Sequence, residues 1–285
     1  MAVREPLAIV GMACRFPGGA SGLDKFWHLL ENGVDAICEV PRSRWDARKF
    51  YSPNPNKPGK AYVNRGGFLQ EPIDEFDPLC FRMSPRETES LDPQQRILLE
   101  VTFESVEDAG IPLPSLEGAR TGVFIGGFCL DANHLHLSHL NRESIDSHTA
   151  TSSSMAMMAN RVSYIFNLQG PSVTVDTACS SSLVATHLAC QSLWNGECEV
   201  AIAGGTNVML RPETPVTMSK GKFLSPDGRC MTFDKRANGY VRAEGAGAVI
   251  LKPLSQALCD NDRIYAQVLA TGINQDGRTA CITFP

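Results

Sequence analysis

The sequence predicts an α/β layered fold on a mostly parallel sheet, and three observations carry that prediction. Five short apolar runs bounded by glycine have the length and composition of buried strands. Segments of helical period fall between them. Strand and helix therefore alternate, the order that buries a parallel sheet between helical layers. With 285 residues, 43% of them hydrophobic, the chain can form one large or two modest domains.

The first strand is expected over residues 7–12, where an apolar stretch follows Arg4 and Glu5 and ends at the turn Pro17-Gly-Gly19. Helical spacing follows over 23–32. Residues 34–76, rich in Pro, Gly, Asn, Arg and Lys, read as irregular surface excursions. The clearest helix is 93–108: Asp92 can cap it, Pro93 suits the first turn, Gly110 follows the end, and Ile97, Leu98, Val101 and Val106 form an apolar stripe. The second strand is read at 122–126 and a polar, His-bearing loop at 130–147. A helix at 153–166, a strand at 173–176, a helix at 180–194, and strands at 200–204 and 246–251 complete the alternation. Residues 264–271 open another strand, Asn274-Gln-Asp-Gly277 reads as a turn, and the chain stops at Ile282-Thr-Phe-Pro285. A stop just after a new strand opens leads us to expect a fragment or a truncated product.

Composition narrows the function classes. Net charge is −5 and no Lys/Arg block is interleaved with aromatics, which disfavours nucleic-acid binding. The ten cysteines are scattered without CxxC spacing and read as reduced thiols, so a cytoplasmic protein is expected. No run approaches the ~20 apolar residues of a membrane span, and the N-terminus lacks the long apolar region and cleavage site of a secretory signal.

The strongest chemical signal is Val175-Asp-Thr-Ala-Cys179-Ser-Ser-Ser-Leu183, read as strand, sharp turn and helix with a thiol in the first turn. Unpaired N–H groups and the positive end of the helix dipole favour a thiolate there. Small neighbours let a thioester approach the backbone, and the Cys179 N–H can face a developing oxyanion. On these features alone a single internal cysteine more often reads as a buried small hydrophobe.

Asp176-Thr-Ala-Cys-Ser-Ser-Ser-Leu183 resembles the active-site signature of β-ketoacyl synthases in the form typical of polyketide synthases. Further blocks support the resemblance along the chain: Ile9-Val-Gly-Met-Ala-Cys-Arg-Phe-Pro-Gly18, Ile73-Asp-Glu-Phe-Asp-Pro78, Leu91-Asp-Pro-Gln-Gln-Arg96, Asn160-Arg-Val-Ser-Tyr164, Leu224-Ser-Pro-Asp-Gly-Arg-Cys230 and Gly239-Tyr-Val-Arg242. The resemblance implies a thiolase-like αβαβα layered fold, with residues 1–260 as the N-terminal half of a ketosynthase domain and 261–285 as the truncated start of the C-terminal half. It implies a homodimer, no directly bound cofactor, and an acyl carrier protein whose phosphopantetheine presents acyl and malonyl thioesters. Cys179 then accepts an acyl chain, a malonyl-type extender decarboxylates, and the enolate attacks the Cys179 thioester. The family's histidine motifs, Glu-Ala-His-Gly-Thr-Gly and Lys-Ser-Asn-Ile-Gly-His, and its Gly-Phe-Gly-Gly loop match nothing in this chain. The isolated chain is therefore expected to be inactive in condensation. A truncated, non-catalytic homologue acting as an assembly or binding partner is the alternative.

Other residues carry weaker signals. Met218 falls where related synthases line the acyl pocket, and an ordinary core methionine fits equally. Glu244 can pair with a lysine of the second half or cap a local turn. His134, His136 and His139 lack companion ligands at metal spacing, so no metal is expected. His187, two turns beyond Cys179, reads as a residue that packs or hydrogen-bonds between layers rather than as a base. No G-x-S-x-G elbow and no dinucleotide fingerprint occur.

Overall fold

The computed structural model describes residues 4–281 and Thr283. Its strands are β1 (Leu7–Phe16), β2 (Ala20–Ser21), β3 (Ile37–Glu39), β4 (Arg65–Gly67), β5 (Thr121–Gly126), β6 (Ser172–Val175), β7 (Val200–Asn207), β8 (Gly245–Pro253) and β9 (Ala266–Val268). One sheet runs β2-β1-β8-β7-β5-β6, and β9 pairs with β1; β3 and β4 form a separate hairpin. All five expected strands lie in the main sheet. The expectation of a mostly parallel sheet needs correction: β5 is parallel to β6 and β7, but β8 is antiparallel to both β7 and β1. Asn207 pairs with Gly245, so β8 starts at the end where β7 finishes and needs no return crossover. The strand expected to open a second half joins this same sheet, with Leu7 opposite Val268.

Both faces of the sheet are buried, which is why its strands read as continuous apolar runs. Val123, Ile125, Ile202, Ala248 and Ile250 face one core; Phe124, Ala201, Ala203 and Leu251 face the other. In β1 the alternation breaks. Ala8 and Val10 share the first core with Ala13, a change of parity allowed by a bulge between Ile9 and Gly11. An extra residue in one strand restores the apolar set to its face. At Gly11 the Pro93–Asp108 helix comes so close that a Cβ would stand 2.3 Å from the Ser105 carbonyl oxygen.

That helix has the cap read from the sequence: the Asp92 carboxylate accepts the Gln94 N–H at 2.8 Å, and Gly110 follows at φ +67. It packs on the first face together with the helix Met157–Ile165, which starts later than the expected 153 because residues 153–156 form a turn, with Ser153 outside the helical range at φ −136. Ser181–Trp194 covers the opposite face through Ala185, Ala189, Cys190 and Leu193. The 130–147 loop contains a helix, Asp131–His136, and a 3-10 turn, His139–Ser144. The irregular 34–76 stretch is as expected, apart from the β3–β4 hairpin and the short helix Ala47–Phe50.

Candidate active site

β6 ends at Val175, and the chain turns sharply into the Ser181–Trp194 helix through a 3-10 turn over Ala178–Ser180. The turn is tied by short polar side chains. The Asp176 carboxylate accepts the Ala178 N–H at 2.9 Å. Ser181 Oγ accepts the Thr177 N–H at 2.9 Å and donates to the Ala178 carbonyl at 2.7 Å. Ser180 Oγ donates to the Thr177 carbonyl at 2.9 Å. Together these bonds hold Ala178 at φ 56, a left-handed conformation that costs a residue with a Cβ of order 1–3 kcal/mol. Cys179 is the next residue, and it is exposed.

Two glycines let this helix start sit directly on the strand ends. A Cβ on Gly126, the last residue of β5, would lie 2.4 Å from the Ser182 nitrogen; one on Gly205 in β7 would lie 2.9 Å from Ser182 Cβ. In the sequence Gly126 reads as the end of a strand and Gly205 as part of the Ala203-Gly-Gly205 block of the resemblance, so their role at the elbow was not legible there. No side chain caps the helix N-terminus. Its first N–H, that of Ser181, donates to the Ala178 carbonyl, and the positive end of its dipole lies at the turn that carries the thiol.

Cys179 opens into a cleft of about 980 Å³, floored by Thr177, Ala178 and Ser180 and walled by the loop Gln275–Thr279. His187 Nδ1 lies 2.8 Å from Thr271 Oγ1, which ties the approach to that loop to the helix that follows Cys179. No disulfide joins any of the ten cysteines. Burial pushes the Cys129 thiol up to about 12 and that of Cys190 to about 11, and it raises Cys14 and Cys198 as well. Those four thiols are removed from nucleophilic chemistry at neutral pH, whereas Cys179 stands in the open. Burial raises the Tyr240 phenol, Arg242 opposes the rise, and Cys179 and Cys230 lie within electrostatic reach of it. A thiol so placed can attack a thioester and hold its acyl group.

Comparison with known proteins places this geometry. The family model for "Beta-ketoacyl synthase, N-terminal domain" matches residues 4–257. The chain belongs to the β-ketoacyl synthase family. It is 46% identical over 285 residues to one of the phenolphthiocerol/phthiocerol polyketide synthase proteins of Mycobacterium tuberculosis, all of this chain matching 18% of that protein. To another protein of the phenolphthiocerol/phthiocerol polyketide synthase, from Mycobacterium bovis, it is 48% identical over 281 residues, covering 99% of this chain and 15% of the relative. Among solved structures, the oxazolomycin ketosynthase domain of Streptomyces albus JA3453 superposes with a TM-score of 0.92 at 46% identity, covering 99% of this chain and 48% of that one. The ketosynthase from module 6 of the Bacillus subtilis 168 bacillaene synthase gives 0.89 at 41%, covering 99% and 46%. The fold is thus the thiolase-like one of ketosynthases. The chain spans about half of those ketosynthases and under a fifth of the curated relatives.

The other sequence candidates of this ketosynthase chain are dispersed. Glu244 is buried and serves as a latch: it forms a two-bonded salt bridge with Arg44 at 2.7 and 2.9 Å and accepts the N–H groups of Leu69 at 2.9 Å and Met209 at 3.1 Å. Met218 is half-buried on the helix Glu213–Lys220 and does not line the Cys179 cleft. His136 turns its Nδ1 to within 3.5 Å of Ser152 Oγ. Among the described residues no His, Cys, Asp and Glu group has a metal-holding arrangement. Tyr240 and the 275–279 loop were not singled out as site residues from the sequence. Tyr240 lay inside the Gly239–Arg242 block that carried the resemblance; the loop read only as a turn.

Proposed function

We propose that this chain supplies the acyl-carrying nucleophile of decarboxylative condensation in polyketide chain extension. The observation that carries the reading is the exposed Cys179 on a strained elbow at an uncapped helix start. Cys179 Sγ attacks the carbonyl carbon of an acyl thioester on an acyl carrier protein. The new C–S bond forms as the old one breaks, and the phosphopantetheine thiol leaves with a proton. A malonyl thioester then loses CO₂, its enolate carbon bonds to the acyl carbon, and the Cys179 sulfur departs. Splitting the reaction at a covalent thioester replaces a three-body encounter with two steps.

The histidine donors for the second step are supplied by motifs that the family carries and this sequence does not. Acting alone, the chain is expected to accept an acyl group without condensing it. Leu183, Leu269 and Ile273 expose 74%, 69% and 59% of their surface beside the nucleophile helix, the face on which the family's second half would pack. The same features fit the second reading, a non-catalytic partner; a downstream reading frame encoding both histidine motifs would exclude it. A homodimer in the cytoplasm completes the proposal. The edge strand β6, with Val173 exposed, and the exposed Tyr164 on the helix packed beside it form the face it would use. Val173→Pro should weaken that dimer in analytical ultracentrifugation of the full domain.

Intact-mass spectrometry after incubation with an acetyl or propionyl thioester tests the core of the reading. One acyl group on Cys179, absent from Cys179→Ala, is the expected result. Acylation spread over the other exposed thiols, with Cys179 unmodified, overturns it.

A further inference from the structure

His187 lies on the helix Ser181–Trp194 one turn beyond Leu183 and is half-buried. Its Nδ1 stands 2.8 Å from the Oγ1 of Thr271, a residue 84 positions away. In either tautomer the pair makes one hydrogen bond: Nδ1–H donates to the hydroxyl, or the hydroxyl donates to a bare Nδ1. Thr271 follows β9, whose last residue, Val268, packs in the core that the same helix covers. Beyond it the chain leaves the sheet. Residues 272–278 are all exposed, and Gln275–Thr279 form the wall of the Cys179 cleft.

Among the described residues, the bond to His187 is the one hydrogen bond that joins residues 269–279 to the sheet and its helices. The other bonds of the stretch are local: the Asp276 N–H donates to Gln275 Oε1, and Thr279 Oγ1 donates to the Cys281 carbonyl. Leu269 and Ile273 are exposed, so apolar packing does not fix the stretch either. Without the bond, the free segment runs from Leu269 to the wall. With it, only Gly272, Ile273 and Asn274 separate a fixed point from Gln275. A shorter free segment visits fewer positions. The fixed point lies on the helix that starts beside Cys179, so wall and thiol share one frame.

We infer that His187 is a positioning residue: by holding Thr271 it sets the Gln275–Thr279 wall across the cleft and so fixes where an incoming thioester lies against Cys179. The inference rests on the reading of Cys179 as the acyl-carrying nucleophile. His187 is not among the residues that line the cleft, so its effect passes through Thr271. Binding contacts held in register with a nucleophile are what make a weak encounter productive.

Thr271→Val removes the bond without altering the helix, and His187→Leu removes it from the other side. His187→Asn is the conservative variant, since its amide, like Nδ1, is bonded directly to Cγ; His187→Gln carries the amide one atom farther out. Three rates are read on the chain: saturation of Cys179 acylation by an acetyl thioester, alkylation of Cys179 by iodoacetamide, and tryptic cleavage after Arg278, followed through the peptide that begins at Thr279. Both bond-breaking variants should raise the thioester KM about tenfold at an unchanged limiting rate and quicken cleavage after Arg278 at least about threefold. Iodoacetamide, too small to need the wall, should react at the wild-type rate. His187→Asn should restore both values and His187→Gln neither. The double variant His187→Leu/Thr271→Val should do no more than either single change, because both remove the same bond.

Wild-type KM and cleavage in Thr271→Val overturn the proposal, as do additive effects in the double variant. So does iodoacetamide labelling that falls in step with acylation, which would mark general damage to the helix. A wild type that is alkylated at Cys179 yet takes no thioester overturns the reading of the nucleophile, and the proposal with it. Normal acylation in the wild type, matched by both bond-breaking variants, overturns the positioning role alone.

Discussion

Two helices of similar length cover opposite faces of one sheet, and they are built for different ends. Pro93–Asp108 is capped by Asp92, stopped at Gly110 and buried along most of its length, including Gln94, Gln95 and Arg96. Those buried polar groups are knitted in: Gln94 donates to the Cys129 carbonyl at 3.0 Å, and Arg161 donates to Gln95 Oε1 at 2.6 Å. Ser181–Trp194 has no side-chain cap, begins from a left-handed alanine and leaves Leu183 and the adjoining thiol exposed. One helix start is closed by a carboxylate side chain, the other only by backbone bonds of the preceding turn, among them Ser181 N–H to the Ala178 carbonyl. Strain and exposure are concentrated where chemistry needs access, and the capped helix supplies rigidity on the other side.

The largest expected effect comes from removing the atom that the exposed helix presents. Cys179→Ala should abolish acyl capture, at least about a thousandfold by intact mass, while stability changes by less than about 0.5 kcal/mol because the site is open to solvent. A stability loss of several kcal/mol in thermal or urea unfolding would mean that Cys179 packs rather than reacts.

The next effect tests the seat of the elbow. Gly126→Ala forces a Cβ against the Ser182 nitrogen, where only 2.4 Å is available. The helix start or the strand must move, at about 1–3 kcal/mol or more for overpacking against backbone. Acylation should fall with it, because the same shift displaces Cys179. Urea unfolding read beside acylation rate would break the comparison if the variant kept both.

On the capped helix, the corresponding test is electrostatic. Burial pushes the Asp92 carboxyl from an ordinary 3.8 up to about 6, against the lowering effect of its bonds from Gln94. A carboxyl whose folded value is raised favours the folded state most below the unfolded value, and that contribution is lost as pH rises from about 4 through about 6. Asp92→Asn removes this titration. Its stability relative to wild type should therefore improve by about 2–3 kcal/mol between pH 4 and pH 7. Parallel stability curves for the two proteins across that range would show that Asp92 is not held in the buried, raised state.

The two helices also differ in how much of them could be read in advance. Asp92, Pro93, Gly110 and the apolar stripe are local signals, and each fell where expected. The same holds for the five strands, whose two-sided burial leaves continuous apolar runs. Strand direction was not legible, since nothing in a strand's own residues records which end its neighbour enters from; the antiparallel β8 shows this. At the site, the turn's own small and polar residues left Cys179 open between a buried hydrophobe and a reactive thiol, and the resemblance of Asp176–Leu183 to the family signature decided the reading. Gly126, Gly205, Tyr240 and the Gln275–Thr279 wall come from distant segments, and only the fold brings them to the elbow. Glu244 was ambiguous for the same reason, as its Arg44 partner lies 200 residues away.

The smallest predicted effect is also the most local. At φ 56, Ala178 pays about 1–2 kcal/mol for a conformation that glycine enters freely. Ala178→Gly relieves that strain in the folded state, but the extra freedom of glycine in the unfolded chain offsets about 0.5–1 kcal/mol of the gain. The net expectation is a stabilisation of about 0.5 kcal/mol, close to the limit of careful urea unfolding. Acylation should move the other way. The alanine, with its bonds to Asp176 and Ser181, limits the directions Cys179 can face; glycine widens them, so the rate should fall a few-fold although the thiol and its neighbours are unchanged. A variant that gained stability and kept its full rate would show that the left-handed turn merely joins strand to helix. One that gained stability and lost rate would show that the strain aims the nucleophile.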